Sequence, residues 1–183
     1  DSERHARHIQ VSAGSGISEA ELELLSSDTR DAYTFPQEFA LYDWQSEAVE
    51  AWFDGDKNRD PETGITQVVT GAGKTVMALE AVRRWLAEDP ADDRVVTVVV
   101  PTRVLMRQWL TEFVSKLNVP VADLGWAGGG HKNDFSECRI LVSIVNSAVK
   151  NDFLKKALAD ASSPEHLLVA DECHRYTGDK FSN

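Results

Sequence analysis

The run Val95-Val96-Thr97-Val98-Val99-Val100 leaves little freedom in the choice of fold. A strand with one wet face alternates apolar and polar side chains; a strand covered on both faces does not. Six β-branched residues in a row suit a pleated strand better than a short helix. They predict a central strand in a sheet that carries helices on both sides. The neighbouring segments agree. Ile65–Thr70, Val119–Leu124, Arg139–Val145 and Leu167–Ala170 read as further strands. Lys74–Glu88, Val104–Leu117 and Ser147–Ala159 read as the helices between them, with Leu105, Trp109, Leu110 and Phe113 on one face. Strands alternating with helices predict a three-layer α/β domain with a parallel central sheet.

The amino-terminal part has a different texture. Residues 1–17 are polar and read as a frayed tail. Ser18-Glu19-Ala20-Glu21 matches a capping box and opens a short helix to about Ser26. Residues 28–40 read as irregular, and Asp43–Phe53 as a helix with Ala48, Val49 and Trp52 on one face. Residues 54–64 form a charged loop punctuated by Gly and Pro. The expected division is an extension over 1–34, partly flexible with one short helix, and a domain over 35–183.

A chain of 183 residues with 42% hydrophobic content can build one domain with a real core. The formal net charge of −11 excludes a protein that coats nucleic acid over its whole surface, though not a local basic groove. Two distant cysteines, Cys138 and Cys173, make no disulfide framework, so a reduced cytoplasmic protein is expected. The longest apolar run, Val95 to Pro101, is far too short to span a membrane, and no secretory signal is read at the start. The first residue is Asp1, so a trimmed or excised piece is expected.

Between the expected strand 65–70 and the helix from Lys74 lies Thr70-Gly71-Ala72-Gly73-Lys74-Thr75. Glycines let the backbone turn tightly and approach an anion. Free N–H groups and the dipole at the following helix start attract phosphate. Lys74 supplies a charge to the β- and γ-phosphates, and the Thr75 hydroxyl is a magnesium ligand. Thr70, Gly71, Ala72, Gly73, Lys74 and Thr75 are therefore the expected cradle of a nucleoside triphosphate. The general phosphate-loop pattern asks for glycine five residues before Gly73, where this chain has Val68.

About a hundred residues on, Leu167–Ala170 delivers Asp171-Glu172-Cys173-His174 to a strand end. Parallel sheets bind ligands at their carboxyl ends. Asp171 is the expected magnesium holder, and Glu172 the residue that polarises an attacking water. A zinc site at Cys173 and His174 would need further ligands, for which only His131 and Cys138 are candidates.

With both motifs present, the chain resembles a superfamily 2 helicase or translocase, closest to the DEAD/DEAH-like branch that includes repair helicases and the motor subunits of type I and III restriction enzymes. The resemblance covers about residues 35–180 and implies a RecA-like P-loop NTPase domain, the first of two in such a motor. Leu41-Tyr42-Asp43-Trp44-Gln45 with Glu47-Ala48 is similar to the segment that precedes the phosphate loop, and implies an adenine contact for Gln45. The family's Arg is Tyr42 here. Pro101-Thr102-Arg103 with Gln108-Trp109 is similar to motif Ia, which implies nucleic-acid backbone contacts for Thr102 and Arg103. The glycine-rich segment Gly125–Gly130 implies close approach of a strand backbone near Gly129. Ile140–Ser147 resembles a strand whose final turn usually holds Thr; Ile144 stands there, which leaves Asn146 or Ser147 to make the contact. The residue at His174 couples the nucleotide site to later motifs in such proteins.

The resemblance implies ATP and Mg2+ as ligands, DNA rather than RNA as partner, no membrane, and a second RecA-like domain of the same full-length chain carrying arginine fingers. The fragment would then be incomplete at its carboxyl-terminal end and nearly inactive alone, with Lys74 and Glu172 as its catalytic residues. Two alternatives stay open: an RNA helicase of the same superfamily, and a non-motor module that binds ATP to regulate a partner.

Overall fold

The computed structural model describes residues 17–27, 29–55, 60, 64–68, 71–88, 94–150, 153, 155, 156 and 165–173. The strands are β1 (Val95–Val100), β2 (Leu124–Gly128), β3 (His131–Lys132), β4 (Ile140–Ile144) and β5 (His166–Ala170). The helices are α1 (Glu19–Glu23), α2 (Asp43–Asp54), α3 (Lys74–Ala87), α4 (Arg103–Ser115) and α5 (Val145–Ala148). The strands form one sheet in the order β3-β2-β4-β1-β5. β1 runs parallel to both β4 and β5, β2 runs parallel to β4, and only the short β3 is antiparallel. The expected α/β fold with a parallel central sheet is therefore present.

β1 is buried along its whole length, as its valine run predicts. Its register sets Val100 against Ile144 and Val99 against Ala170, while Ala127 faces Ser143. The carboxyl ends of β5, β1, β4 and β2 are thus level to within a residue or so and lie side by side. At about 4.8 Å per strand, β5 and β2 end about 14 Å apart. One continuous core joins Val96, Val98 and Val100 of β1 to Leu79 and Val82 of α3 and to Leu110, Phe113 and Val114 of α4.

Three expectations need correction. Residues 64–68 belong to no strand, although Ile65–Thr70 was expected to be one; Val69 and Thr70 lie outside the described residues. A strand needs a ladder partner, and a cavity separates this segment from β5, leaving Ile65 87% exposed. The strand expected at Val119–Leu124 instead begins at Leu124. Pro120, with φ −56°, leads into a 3-10 turn over Val121–Asp123. The strand therefore runs through Gly125–Gly128, residues that read as loop. Gly125 is required there by packing, since a Cβ would lie 2.5 Å from the Cys138 sulfur. The helix expected over Ser147–Ala159 starts as α5 at Val145 and ends at Ala148; positions 153, 155 and 156 are again helical, and 157–159 lie outside the described residues.

Residues 17–27 and 29–34 are packed against the domain through Ile17, Leu22, Arg30 and Tyr33. The capping box at Ser18 and Glu21 is formed, but α1 stops at Glu23 rather than near Ser26. Ile17 and Leu22 are buried in the main core. The Arg30 guanidinium donates to the carbonyls of Ser115 and Lys116, closing the end of α4. Asn118 adopts φ 50°, which Asn tolerates better than most residues. Its amide nitrogen donates to the carbonyls of Ser27, Arg30 and Asp31, and its oxygen accepts from Ser27 N–H at 3.0 Å.

Both cysteines are free thiols. Burial pushes the Cys138 thiol up to about 12, with the nearby carboxylate of Asp134 adding to the effect. Burial also lowers the His166 pKa, and a ring nitrogen of His166 lies 2.9 Å from the Thr97 hydroxyl.

Asn118→Ala should destabilise the domain by about 2–3 kcal/mol, because it orphans several polar groups at once. Denaturant unfolding of the two proteins measures this, and a loss below about 0.5 kcal/mol would refute the anchoring role. His166 has a folded pKa below its unfolded value. The unfolded chain therefore binds more protons as pH falls below about 6.5, and stability should decline there. His166→Gln should flatten that acid-side slope, as read from unfolding midpoints between pH 5 and 8.

Candidate nucleotide site and nucleic-acid edge

Gly73 has φ 88° and stands at the N-cap of α3, so the helix starts directly from the glycine turn at Lys74. Gln45 of α2 is 3% exposed and reaches under this turn. Its amide nitrogen lies 3.2 Å from the Gly73 carbonyl and 3.4 Å from that of Ala72, to which it donates. Its oxygen accepts from the Tyr42 N–H at 2.9 Å. The positive φ favours glycine, and a Cβ there would lie 2.5 Å from the Gln45 nitrogen and displace the end of that side chain. In this structure Gln45 thus holds the glycine turn through its side-chain amide. Gly71 is exposed, and Thr70 lies outside the described residues.

From the other side, β5 delivers the acidic pair. The Asp171 N–H donates to the Val99 carbonyl at 3.0 Å, which ties the end of β5 to β1. The indole N–H of Trp109 donates to the Asp171 carboxylate at 2.8 Å. Glu172 has φ 52°, a left-handed conformation that costs a non-glycine residue about 1–3 kcal/mol and tends to gather at functional sites. Lys74 Nζ sits 3.8 Å from Glu172 Oε1, so the start of α3 and the end of β5 meet. Lys74, Thr75, Trp109, Asp171 and Glu172 line a cavity of about 890 Å³. Its lining also includes apolar side chains, among them Val49 and Trp52 of α2 and Leu167 and Val169 of β5.

The donors suit magnesium. Thr75 and Asp171 offer hard oxygens in the lining of one cavity, and magnesium is usually held by one or two carboxylates together with substrate phosphates and water. Among the described residues no group of three or more His, Cys, Asp or Glu is arranged to hold a metal alone. His174 lies outside the described residues.

The expected nucleic-acid residues gather further along the same sheet edge. Thr102 caps α4, its hydroxyl accepting from Leu105 N–H at 3.2 Å. Arg103 is exposed in the first turn of that helix. A Cβ on Gly129, just past β2, would lie 3.8 Å from the Arg103 side chain, so these two positions adjoin. Asn146 is exposed in α5, directly after β4. Thr102, Arg103, Gly129 and Asn146 thus follow three adjacent strand ends, beside the strand that carries Asp171 and Glu172.

Sequence reasoning missed two features. Trp109 reads as one more apolar residue on the buried face of α4. A buried indole usually finds an acceptor, which is a signal, but the sequence does not name the partner. The left-handed Glu172 has no sequence signal at all.

The family model of the type III restriction enzyme, res subunit, matches residues 38–183. No curated protein matches this chain. Two solved structures of UvsW from bacteriophage T4 are similar in fold. One, described as the UvsW helicase, is 15% identical with a TM-score of 0.53, over 86% of this chain and 61% of that one. The other is 16% identical with a TM-score of 0.54, over 86% of this chain and 35% of that one. This chain therefore spans less than two thirds of either. Since the family match takes in both the phosphate loop and the acidic pair, the chain belongs to the family of the type III restriction enzyme res subunit.

Proposed function

We propose that this chain is the ATP-binding lobe of an ATP-dependent DNA helicase or translocase, of the kind that serves DNA repair or restriction. The observation that carries the reading is the approach of Lys74 to Glu172, 3.8 Å apart in the lining of the cavity. A cation from the phosphate loop and a carboxylate from the strand end are the two groups that phosphoryl transfer to water needs together. They come from segments about a hundred residues apart, and a chance glycine turn would not bring them into contact.

The chemistry follows from these positions. Backbone N–H groups from Gly71 to Thr75 and the start of α3 receive the phosphates. Lys74 leaves Glu172 for the β- and γ-phosphate oxygens. Glu172, freed of its cation, accepts a proton from the attacking water. Thr75 and Asp171 are the residues that would hold magnesium, which would supply charge neutralisation on the phosphates. Gln45 keeps the loop in its phosphate-ready shape.

The domain over 35–183 acts as the first RecA-like lobe. A second RecA-like domain of the full-length chain completes the site with arginine fingers, and closure of the two lobes moves a DNA strand past Thr102, Arg103, Gly129 and Asn146. A Thr hydroxyl, a helix start and an Arg are suitable donors to a phosphate backbone. Cytoplasmic placement is supported by two free thiols, one of them exposed. Among the described residues no helix is long and apolar enough to cross a membrane.

In the full-length protein, DNA should stimulate ATP hydrolysis. Lys74→Ala and Glu172→Gln should each lower the stimulated rate by at least about a hundredfold, with Glu172→Gln still binding ATP. A rate indifferent to DNA and RNA alike would count against a motor, and stimulation by RNA alone would move the reading to an RNA helicase. Arg103→Ala should raise the DNA concentration for half-maximal stimulation several-fold and reduce the salt dependence by about one phosphate contact. A titration over 50 to 200 mM salt tests this, and an unchanged slope would remove Arg103 from the DNA path.

A further inference from the structure

We infer that Trp109 is a positioning residue for magnesium: its indole N–H fixes the Asp171 carboxylate, and α4 thereby becomes the element shared by the metal site and the candidate nucleic-acid edge. The inference rests on the reading of Asp171 as a magnesium holder.

The geometry is specific. Trp109 is 2% exposed and sits on the α4 face that packs into the core, with the Phe113 ring at 5.6 Å. Packing alone would be served by any large apolar side chain. The nitrogen, however, is aimed outward from that core at Asp171 Oδ2, at 2.8 Å. This fold does not satisfy every buried indole in that way, since the buried Trp85 nitrogen has no hydrogen-bond partner among the described residues. Trp109 has a carboxylate partner, and a hydrogen bond to an ionised acceptor is about twice as strong as one between neutral groups.

An Asp carboxylate rotates in a broad torsional well, so its oxygens have no fixed plane unless something holds them. Here the main chain of Asp171 is held by Val99 of β1, and one carboxylate oxygen by Trp109. A carboxylate offers about four lone-pair sites, so it can accept from an indole N–H and still ligate a metal or its water. Groups that orient a metal ligand in this way typically govern metal affinity or activity by 10–100-fold.

Trp109 also lies six positions beyond Arg103 on one helix, about 9 Å along its axis. The first turn of α4 carries Thr102 and Arg103 beside Gly129; its second turn holds the acid. A shift of α4 against β5 would change the Trp109 to Asp171 distance directly.

The test uses the full-length protein with Trp109 replaced by Phe and, separately, by the benzothienyl analogue of tryptophan, in which sulfur takes the place of the N–H. The analogue keeps the shape if Phe fails to fold. Binding of a β,γ-imido analogue of ATP is measured by calorimetry with and without magnesium, so no turnover is needed. The expected result is metal-free affinity within about twofold of the parent and magnesium-dependent affinity about tenfold weaker in both variants. A parent that responds to magnesium and a benzothienyl variant that responds equally would overturn the role of Trp109 alone. A parent whose affinity ignores magnesium would overturn the assignment of Asp171, and this inference with it.

Discussion

The double pairing of β1 is the constraint from which the rest of the architecture follows. A strand flanked in parallel by β4 and β5 has both rows of backbone groups engaged, and its side chains are buried on both faces. Such a strand has nowhere to slip, because a one-residue shift would break two ladders at once. Fixed register means fixed strand ends. The turn into α4, the turn into α5 and the acidic pair after β5 are therefore set at one level on one edge. Chemistry that needs sub-ångström placement starts from this ladder, and the Asp171 N–H to Val99 bond is its last rung.

The parts of the fold that were legible in the sequence are those governed by local or all-or-none physics. Val95–Val100 announces burial on two faces, and β1 has those bounds. Ser18 and Glu21 announce a cap, and the cap forms. Gly73-Lys74 announces a helix start, and α3 begins at Lys74. What could not be read depends on a partner elsewhere in the chain. Residues 64–68 carry strand-forming side chains but lack a ladder, so propensity has nothing to act on. Gly125 looks like loop material until Cys138 is seen to occupy the space where its side chain would be. In the site, the two motifs were legible in the sequence, while the 3.8 Å approach of Lys74 to Glu172 was not. Nor were the grip of Gln45 on the loop and that of Trp109 on Asp171, since each depends on which way one buried side chain faces.

The amino-terminal segment shows the same logic at larger scale. Its polarity and its glycines suggest an appendage. Yet Arg30 donates to carbonyls at the end of α4, and Asn118 to the carbonyls of Ser27 and Arg30. Ile17 and Leu22 then cover a core face that includes α4 residues. The helix that carries Trp109 and Arg103 is consequently held at its far end by residues that precede the phosphate loop by some forty positions or more.

The two thiols make the molecule convenient to observe. Cys138 is buried, and with a pKa near 12 it holds almost no thiolate at neutral pH, so it will ignore alkylating reagents. Cys173 is exposed and adjoins Glu172 in the chain. A maleimide dye would therefore attach to a single position without any engineering of the described domain. It would sit one residue from the carboxylate that is proposed to change partners when nucleotide arrives, so emission from that dye would follow site occupancy in real time.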